Sequence, residues 1–309
     1  MSKVALIVGA SRGIGRQIAL TLSQAGYTVA IAAKSTSNAA STHPFPPDPN
    51  SPHSTISTVA REITELGGTA IPIQVDVRDV DQISHMVSET VRVAGRLDVL
   101  VYNSGAIWWS SVAGTPTKRF QLMQRVNPEG LYASVQAALP VFERNGWKGR
   151  IVVVSPPIYS RFFRGKTAYA VGKVGMSVLT RGLAMDFVRQ GHDDMAITSV
   201  WPAASIESAA TEKTMAEDPA RKADLRKATI FADAVLGILN APAQTVNGML
   251  ALDEDFLREH CGVTDFSGYA VVPGSNPRRI MPKELPVLEV AEQDDEGMRM
   301  DSTKMRAKI

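Results

Sequence analysis

A short apolar run, a glycine-rich turn and a helix open the chain, and few folds accommodate that order. Residues 4–8 are all apolar, which is typical of a strand buried on both faces of a parallel sheet. Residues 9–15 contain three glycines, residues 16–23 have a helical pattern, and residues 27–33 form a second apolar run. The opening segment therefore predicts a β–α–β unit.

The same alternation continues along most of the chain. Helices are predicted over residues 59–66, 80–94, 117–139, 168–189 and 232–239, and strands over residues 70–75, 97–102, 150–154, 196–200 and 249–252. Strands separated by helix-length segments form a parallel sheet covered by helices on both faces. We therefore predict an α/β fold, a Rossmann-type doubly wound parallel sheet, as one domain over residues 1–272.

Two polar, proline-containing segments do not follow this alternation. Residues 35–58 include five prolines and predict a surface loop inserted into the domain. Residues 273–309 end in a region with an acidic patch at residues 294–296, and we predict an extended or disordered tail. Both segments are either inert and solvated or functional. The loop would then cover the adenosine end of a cofactor, and the tail would pack across a subunit interface.

Composition argues against several classes of partner and site. The net charge of +2 gives no reason to expect a nucleic acid. No apolar run approaches the ~18 residues that span a membrane, so no membrane association is predicted. Cys261 is the single cysteine, which rules out an internal disulfide. The five histidines are scattered without the spacing of metal ligands, so no metal site is predicted.

The glycine-rich turn has the form of a phosphate-binding loop. Gly9 permits a tight turn, Gly13 lets the backbone approach a pyrophosphate, and Gly15 lets the helix pack close to the strand. The N-terminus of the helix then offers unpaired N–H groups to the phosphates. The predicted dinucleotide-binding loop comprises Gly9, Ser11, Arg12, Gly13, Ile14 and Gly15.

The end of the second strand indicates which dinucleotide is bound. NAD enzymes place a carboxylate there to bind the ribose 2′-OH, but this chain has Lys34. Arg12 is a second cation able to reach a 2′-phosphate, so the pair favours NADP(H). Alternatively, both are solvated surface charges. Asp76 ends the third strand and either accepts a hydrogen bond from the adenine amine or only caps the next helix.

Tyr169 and Lys173 are the candidate catalytic pair. Residues four apart share one helix face, and a nearby cation lowers the pKa of a phenol, which is otherwise about 10. Ser155 ends a predicted strand, where its hydroxyl could hydrogen-bond a substrate carbonyl. Asn127 precedes Pro128 within a predicted helix, and a kink there would free a carbonyl for a water reaching Lys173.

In order and spacing, these motifs resemble the short-chain dehydrogenase/reductase superfamily over residues 3 to about 253, and within it the hydroxysteroid dehydrogenase-like group. The resemblance implies that Tyr169 exchanges the proton and that Lys173 lowers its pKa and holds the nicotinamide ribose. It also implies that Ser155 orients the carbonyl and that Asn127 anchors a water relay. The implied cofactor contacts beyond the glycine loop are Lys34, Asp76, Val77, Asn103, Ser104, Gly105, Tyr169, Lys173, Pro202, Ile206 and Ser208.

The sequence departs from the family pattern at three places. Tyr102 replaces the first Asn of an Asn-Asn-Ala-Gly segment, Pro156 and Pro157 follow Ser155, and Ala203 replaces the glycine of a Pro-Gly pair. These departures affect the ribose contacts, the aim of the serine hydroxyl and the segment over the nicotinamide.

The expected activity is hydride transfer between NADP(H) and a carbonyl or alcohol of a hydrophobic small molecule, of fatty-acyl, steroid-like or polyketide type. The expected apolar wall is Ile107, Trp108, Trp109, Ile158, Tyr159, Phe162, Phe163 and Trp201. Two alternatives remain open: a non-catalytic NADP(H)-sensing regulatory protein on the same scaffold, and a dehydratase or epimerase that uses the same residues.

Two further expectations concern assembly and location. The resemblance implies a homodimer or homotetramer. The chain ends in Ala307, Lys308 and Ile309, which is similar to the small–basic–aliphatic peroxisomal signal. We therefore expect a peroxisomal location, with the cytoplasm as the alternative.

Overall fold

Parallel strands form the centre of the molecule, which this computed structural model describes over residues 2–290, apart from the side chains of residues 213 and 214. The strands are β1 (Val4–Val8), β2 (Thr28–Ala33), β3 (Thr69–Gln74), β4 (Val99–Tyr102), β5 (Gly149–Val154), β6 (Met195–Trp201), β7 (Ser205–Ile206), β8 (Leu225–Arg226) and β9 (Leu250–Leu252). Seven of them form one parallel sheet in the order β3-β2-β1-β4-β5-β6-β9, and β7 pairs with β8. This sheet confirms the predicted fold class.

Helices cover both faces of the sheet. They are α1 (Gly13–Gln24), α2 (Ile56–Glu65), α3 (Val80–Ala94), α4 (Thr117–Gln124), α5 (Gly130–Arg144), α6 (Thr167–Gln190), α7 (Ala209–Glu217), α8 (Thr229–Asn240), α9 (Ala243–Val246) and α10 (Asp253–Cys261). Because side chains alternate along a strand, β1 directs Ile7 into a core shared with α1, α2, α8 and α10, and Leu6 into a core shared with α3, α5 and α6.

The strand ends place a binding site at one edge of the sheet. Val8 pairs with Ala32 on β2 and with Tyr102 on β4, so these three strands end at the same level. The chain order reverses between β1 and β4, because β2 and β3 lie on one side of β1 and the later strands on the other. Ligands of doubly wound sheets bind beyond the carboxyl ends of the strands at such a reversal.

The predicted helix over residues 117–139 is interrupted and runs further than expected. A π-helical turn, Arg125–Glu129, connects α4 to α5, and α5 ends at Arg144. Pro128 lies inside this turn and has no N–H to donate to the helical ladder. A break at Asn127 and Pro128 was expected from the sequence, and the structure has it as a widened turn within a continuous helix.

The second predicted helix begins three residues earlier than expected. Thr55 caps α2, since its hydroxyl accepts the Thr58 N–H at 3.3 Å and the Thr58 hydroxyl accepts the Thr55 N–H at 2.9 Å. This is a capping box with threonine where glutamate or glutamine is usual. The inserted loop therefore ends at Thr55 rather than at residue 58.

Residues 273–290 are extended and contact the rest of the molecule. Ala204 forms a β-bridge with Arg279, and the N–H groups of Ile280 and Met281 both donate to the Ala203 carbonyl oxygen, at 2.8 and 3.1 Å. We call residues 277–282 the C-terminal strap. The acidic patch at residues 294–296 and the C-terminal residues Ala307, Lys308 and Ile309 lie outside the described residues.

Candidate active site

A cleft of about 770 Å³ lies beyond the carboxyl ends of the central strands. The predicted cofactor residues that line it are Gly9, Ser11, Arg12, Gly13, Ile14, Lys34, Asp76, Val77, Asn103, Ser104, Gly105, Tyr169, Lys173, Pro202, Ile206 and Ser208. Gly15 does not line the cleft. Of the four predicted catalytic residues, Tyr169 and Lys173 line it, whereas Asn127 and Ser155 lie behind it.

The glycine loop is shaped by close backbone approaches. Gly9 has φ +89°, and a Cβ there would lie 2.7 Å from the Ser104 amide nitrogen. A Cβ on Gly15 would overlap the Gly9 carbonyl oxygen. Arg12, which precedes α1, makes no side-chain hydrogen bond to the first turn of that helix. No side chain therefore caps the positive end of α1, where the Pro49 carbonyl oxygen accepts the Gly13 N–H.

The inserted loop packs against the glycine loop. The Ser54 hydroxyl donates to the Ser11 carbonyl oxygen at 2.7 Å, and the Gly13 N–H donates to the Pro49 carbonyl oxygen at 2.9 Å. The amide oxygen of Asn50 is buried beside Gly13 without a hydrogen-bond partner among the described residues. Of the residues predicted as the insertion, Ser35 is the one that lines the cleft. The insertion thus supports the phosphate end.

Charged side chains line one end of the cleft, where the sequence predicts the adenosine of a cofactor, and we call it the adenosine end. Lys34 Nζ lies 3.2 Å from Asp76 Oδ2, and the Arg78 guanidinium binds both carboxylate oxygens of Asp76. These bonds, first those from Arg78, hold the pKa of Asp76 far below its usual range. Arg78 was not among the predicted site residues, although it lies only two residues after Asp76 in the sequence.

Tyr169 and Lys173 face the cleft from the first turns of α6. They are only 2% and 3% exposed. Lys173 Nζ donates to the Val154 carbonyl oxygen at 2.8 Å. Burial lowers the pKa of Lys173 to about 7 and raises the pKa of Tyr169, because both charged groups lose water. Burial is the cause of both shifts, and the lowering of the Tyr169 pKa by Lys173 stays a prediction.

Asn127 and Tyr102 organise the π-helical turn behind the catalytic pair. Asn127 is fully buried, and its side chain accepts the Ala106 N–H at 2.8 Å and donates to the Ala106 carbonyl oxygen at 3.1 Å. The Tyr102 hydroxyl donates to the Val126 carbonyl oxygen at 2.6 Å. The Tyr102 side chain therefore lies in the core, hydrogen-bonded to a carbonyl oxygen of this turn, whereas its neighbour Asn103 lines the cleft.

Ser155 does not reach the cleft, which corrects the role predicted for its hydroxyl. It is fully buried, and its Oγ lies 2.9 Å from Ser177 Oγ on α6. Val154 lines the cleft, and side chains alternate along an extended chain. Ser155 consequently faces the opposite side, as Val153 does. The sequence offered a signal for this orientation, because the side chain of the residue after Val154 must point away from the side that Val154 faces.

Aromatic and aliphatic side chains line the other end of the cleft, which we call the substrate end. Of the predicted apolar wall, Ile107, Trp109, Tyr159, Phe162 and Trp201 line it, whereas Trp108, Ile158 and Phe163 do not. The cleft is also lined by five residues that were not predicted from the sequence: Leu122, Val126, Lys166, Ile280 and Met281.

The C-terminal strap forms part of this wall. Arg279 holds it through two hydrogen bonds of 2.6 Å to the carboxylate of Asp255 on α10. Met281 Sδ then lies 3.4 Å from the Tyr159 hydroxyl. These residues are distant in sequence, so no local pattern predicted the contact.

The described residues contain neither a metal-binding cluster nor a membrane-spanning helix. Within the described part of the chain, no group of three or more His, Cys, Asp or Glu side chains is placed to hold a metal ion. Between residues 2 and 290, no helix combines the length and the apolar character that crossing a membrane requires.

Comparison with known proteins identifies relatives with the same architecture. The chain is 37% identical over 270 residues to hydroxysteroid dehydrogenase-like protein 2 of Homo sapiens, covering 87% of this chain and 60% of that protein. A putative dehydrogenase from Xanthomonas campestris superposes with a TM-score of 0.77 at 36% identity, over 94% of this chain and 98% of that one. A short-chain dehydrogenase from Mycobacterium thermoresistibile also superposes with a TM-score of 0.77 at 36% identity, over 90% and 93% of the two chains.

A family model agrees with these relatives. The short-chain dehydrogenase model described as enoyl-(acyl carrier protein) reductase matches residues 9–248, from the glycine loop to the turn before β9. The chain spans between 48% and 60% of the length of the first curated relatives that it matches. The chain belongs to the short-chain dehydrogenase/reductase family, whose members are oxidoreductases that bind nicotinamide cofactors.

Proposed function

We propose that this protein transfers a hydride between NADP(H) and a carbonyl or alcohol group of a hydrophobic small molecule. The observation that carries the proposal is the single cleft in which Tyr169 and Lys173 meet the glycine loop. Oxidoreductases of this fold use that edge of the sheet.

The cleft residues fit a dinucleotide that carries an extra phosphate. Gly9 leaves the backbone room at the pyrophosphate position, and the N-terminus of α1 borders the cleft without a side-chain cap, although the Gly13 N–H there donates to Pro49. Arg12, Lys34 and Arg78 line the cleft, in which Asp76 is the one carboxylate among the described lining residues. This excess of positive charge favours the 2′-phosphate of NADP(H) over the hydroxyl of NAD(H).

The protein's own residues supply the proton for reduction. NADPH, when bound, supplies the hydride. Tyr169, like any phenol with a pKa near 10, carries its proton at neutral pH, and it can donate that proton to the carbonyl oxygen. Lys173, held by Val154, becomes a favourable neighbour of the phenolate that remains. Asn127 fixes the backbone of Ala106 beside them.

The substrate end supports a hydrophobic substrate. Ile107, Trp109, Phe162 and Trp201 line it, and apolar walls with a few convergent polar groups are usual in small-molecule sites. The name of the human relative, hydroxysteroid dehydrogenase-like protein 2, agrees with a steroid-like substrate. Fatty-acyl and polyketide carbonyl compounds are alternatives within the same class.

NADPH oxidation with a panel of apolar aldehydes and ketones tests the proposal. We expect turnover by the wild-type protein, a preference for NADPH over NADH, and a loss of at least about 100-fold in kcat for Tyr169→Phe, because a positioned acid contributes that much or more. Tyr132→Phe, an exposed tyrosine on α5, is the matched control and should keep its activity.

Two outcomes would contradict this assignment. Equal rates for wild-type protein and Tyr169→Phe would remove Tyr169 as the proton donor. Conversion of substrate without net consumption of bound cofactor would favour a dehydratase or an epimerase instead.

We further propose a homodimer or homotetramer and a peroxisomal location. The oligomer is supported by exposed apolar side chains on α5 and α6, including Tyr132, Val171 and Val178.

The location is supported by the C-terminal tripeptide alone, with the cytoplasm as the alternative. A fluorescent fusion with a free C-terminus that stays outside peroxisomes would refute it.

A further inference from the structure

Lys166 places a cation at the substrate end of the cleft. Lys34 and Arg78 bind Asp76 at the adenosine end, Arg12 belongs to the glycine loop, and Lys173 donates to the Val154 carbonyl oxygen. Lys166 also lines the cleft, directly before α6 and three residues before Tyr169. The Lys166 ammonium and the Tyr169 ring both neighbour the rings of Trp109 and Phe162, so the ammonium lies on the same side of the cleft as the phenol.

The surroundings of Lys166 are aromatic rather than acidic. Its Nζ lies 4.0 Å from the centre of the Phe162 ring and 5.5 Å from the centre of the Trp109 ring. Both rings also neighbour Tyr169, with centroid separations of 6.3 and 6.2 Å. Over residues 2–290, none of the ion pairs involves Lys166. The rings attract the ammonium but do not neutralise it.

Lys166 stands where a cation is unfavourable for the free protein. It precedes the first turn of α6, a 24-residue helix whose N-terminus carries partial positive charge. Half-burial lowers the pKa of its ammonium, because the charged form loses water. Both effects would be relieved by an anion at the same place, since an anion is stabilised by the helix N-terminus and by the lysine together.

We propose that Lys166 binds a carboxylate carried by the substrate close to its carbonyl group, so that the preferred substrates are apolar oxo acids. The proposal deepens the proposed function, and for the reaction itself it rests on that function. The carbonyl then lies at Tyr169 and the carboxylate one helical turn away, at Lys166. The remaining chain extends along Ile280 and Met281 of the C-terminal strap.

A matched pair of substrates tests this assignment by kinetics. With NADPH and wild-type protein, we expect a medium-chain 4-oxo acid to have a KM about tenfold below that of its methyl ester, which is equivalent to about 1.4 kcal/mol. Lys166→Met should remove that difference by raising the KM of the acid, with kcat changed little. Lys166→Arg should restore the preference, and Arg164→Met, an exposed cation of the same loop outside the cleft, should leave it unchanged.

Binding without turnover separates this proposal from the proposed function. Titration calorimetry with NADPH present should give tighter binding of decanoate than of decanamide to wild-type protein, and equal binding of the two to Lys166→Met. That result supports the carboxylate contact even if no carbonyl compound is reduced. Equal affinities of the wild-type protein for decanoate and decanamide would overturn the proposal. A preference for decanoate that is the same in wild type, Lys166→Met and Lys166→Arg would also overturn it.

Discussion

At the scale of single residues, the site depends on ionisable groups that are held out of water. Lys173 is almost completely buried and shares its cleft with a buried phenol. Asp253, which accepts the N–H groups of Ala203 and Glu254, has its pKa raised to about 7 by burial. Burying ionisable groups in this way lowers the stability of the folded protein.

Lys173→Met should stabilise the protein more at pH 6 than at pH 9. Below pH 7 the folded and unfolded chains both bind the lysine proton, so the native state bears the full cost of a buried ammonium. Above pH 7 the native lysine releases its proton, while the unfolded lysine, with a pKa of about 10.4, keeps it. Wild-type stability therefore gains up to about 1.4 kcal/mol per pH unit between the two pKa values, a gain that methionine lacks.

Thermal unfolding of wild type and Lys173→Met at both pH values checks this expectation. Lys148→Met, which changes an exposed lysine, should show no pH-dependent difference from wild type. An equal stabilisation by Lys173→Met at pH 6 and pH 9 would show that the lysine keeps an ordinary pKa in the fold.

At the scale of elements, sequence periodicity predicted the strands but not the contacts between segments that are distant in sequence. Apolar runs predicted the strands of the main sheet to within a few residues, because the central runs are buried on both faces. The edge strand β3 is the exception, since most of it is exposed or half-buried. The same reasoning assigned Ser155 to the cleft, since it considered the strand end and not the alternation. The contacts from Pro49 to Gly13 and from Met281 to Tyr159 join irregular segments distant in sequence, so no periodicity could reveal them.

Arg279→Met should loosen the C-terminal strap and weaken the binding of the substrate without weakening the binding of NADPH. The change removes both bonds to Asp255 and those to the Met281 and Pro282 carbonyl oxygens. A part-exposed ion pair of this kind contributes about 1 kcal/mol, so we expect KM for an apolar carbonyl compound to rise about fivefold. The dissociation constant of NADPH should not change.

Steady-state kinetics and an NADPH titration measure the two effects separately. Arg278→Met is the matched control, because the backbone N–H of Arg278, not its side chain, makes the bond to Asp224. A parallel weakening of NADPH binding by Arg279→Met would mean that the strap also supports the cofactor.

At the scale of the whole molecule, α6 connects the chemistry to a surface suited to self-association. Its inner face carries Tyr169 and Lys173, and its outer face exposes Val171, Val178 and Met185 at intervals of seven residues. A repeat of seven forms a continuous stripe on a helix. This stripe was not identified from the sequence, because residues 168–189 are apolar on several faces and only the sheet shows which face remains exposed.

Val178→Asp should dissociate the oligomer. A charge at the centre of a buried apolar stripe would lose its water without a partner, so we expect a shift from dimer or tetramer to a smaller species at micromolar concentration. Sedimentation velocity measures the change. Val93→Asp, an exposed valine on α3, should not alter the sedimentation coefficient. A wild-type protein that sediments as a monomer would contradict the proposed assembly.

The position of the C-terminal strap has a practical consequence for dividing the chain. A protein shortened at residue 272, where the sequence pattern ends the domain, would keep every strand and helix described and the whole glycine loop. It would nevertheless lose Ile280 and Met281 from one wall of the cleft. Such a truncated enzyme would bind nucleotide normally yet discriminate poorly among hydrophobic compounds, and its selectivity would misrepresent that of the full chain.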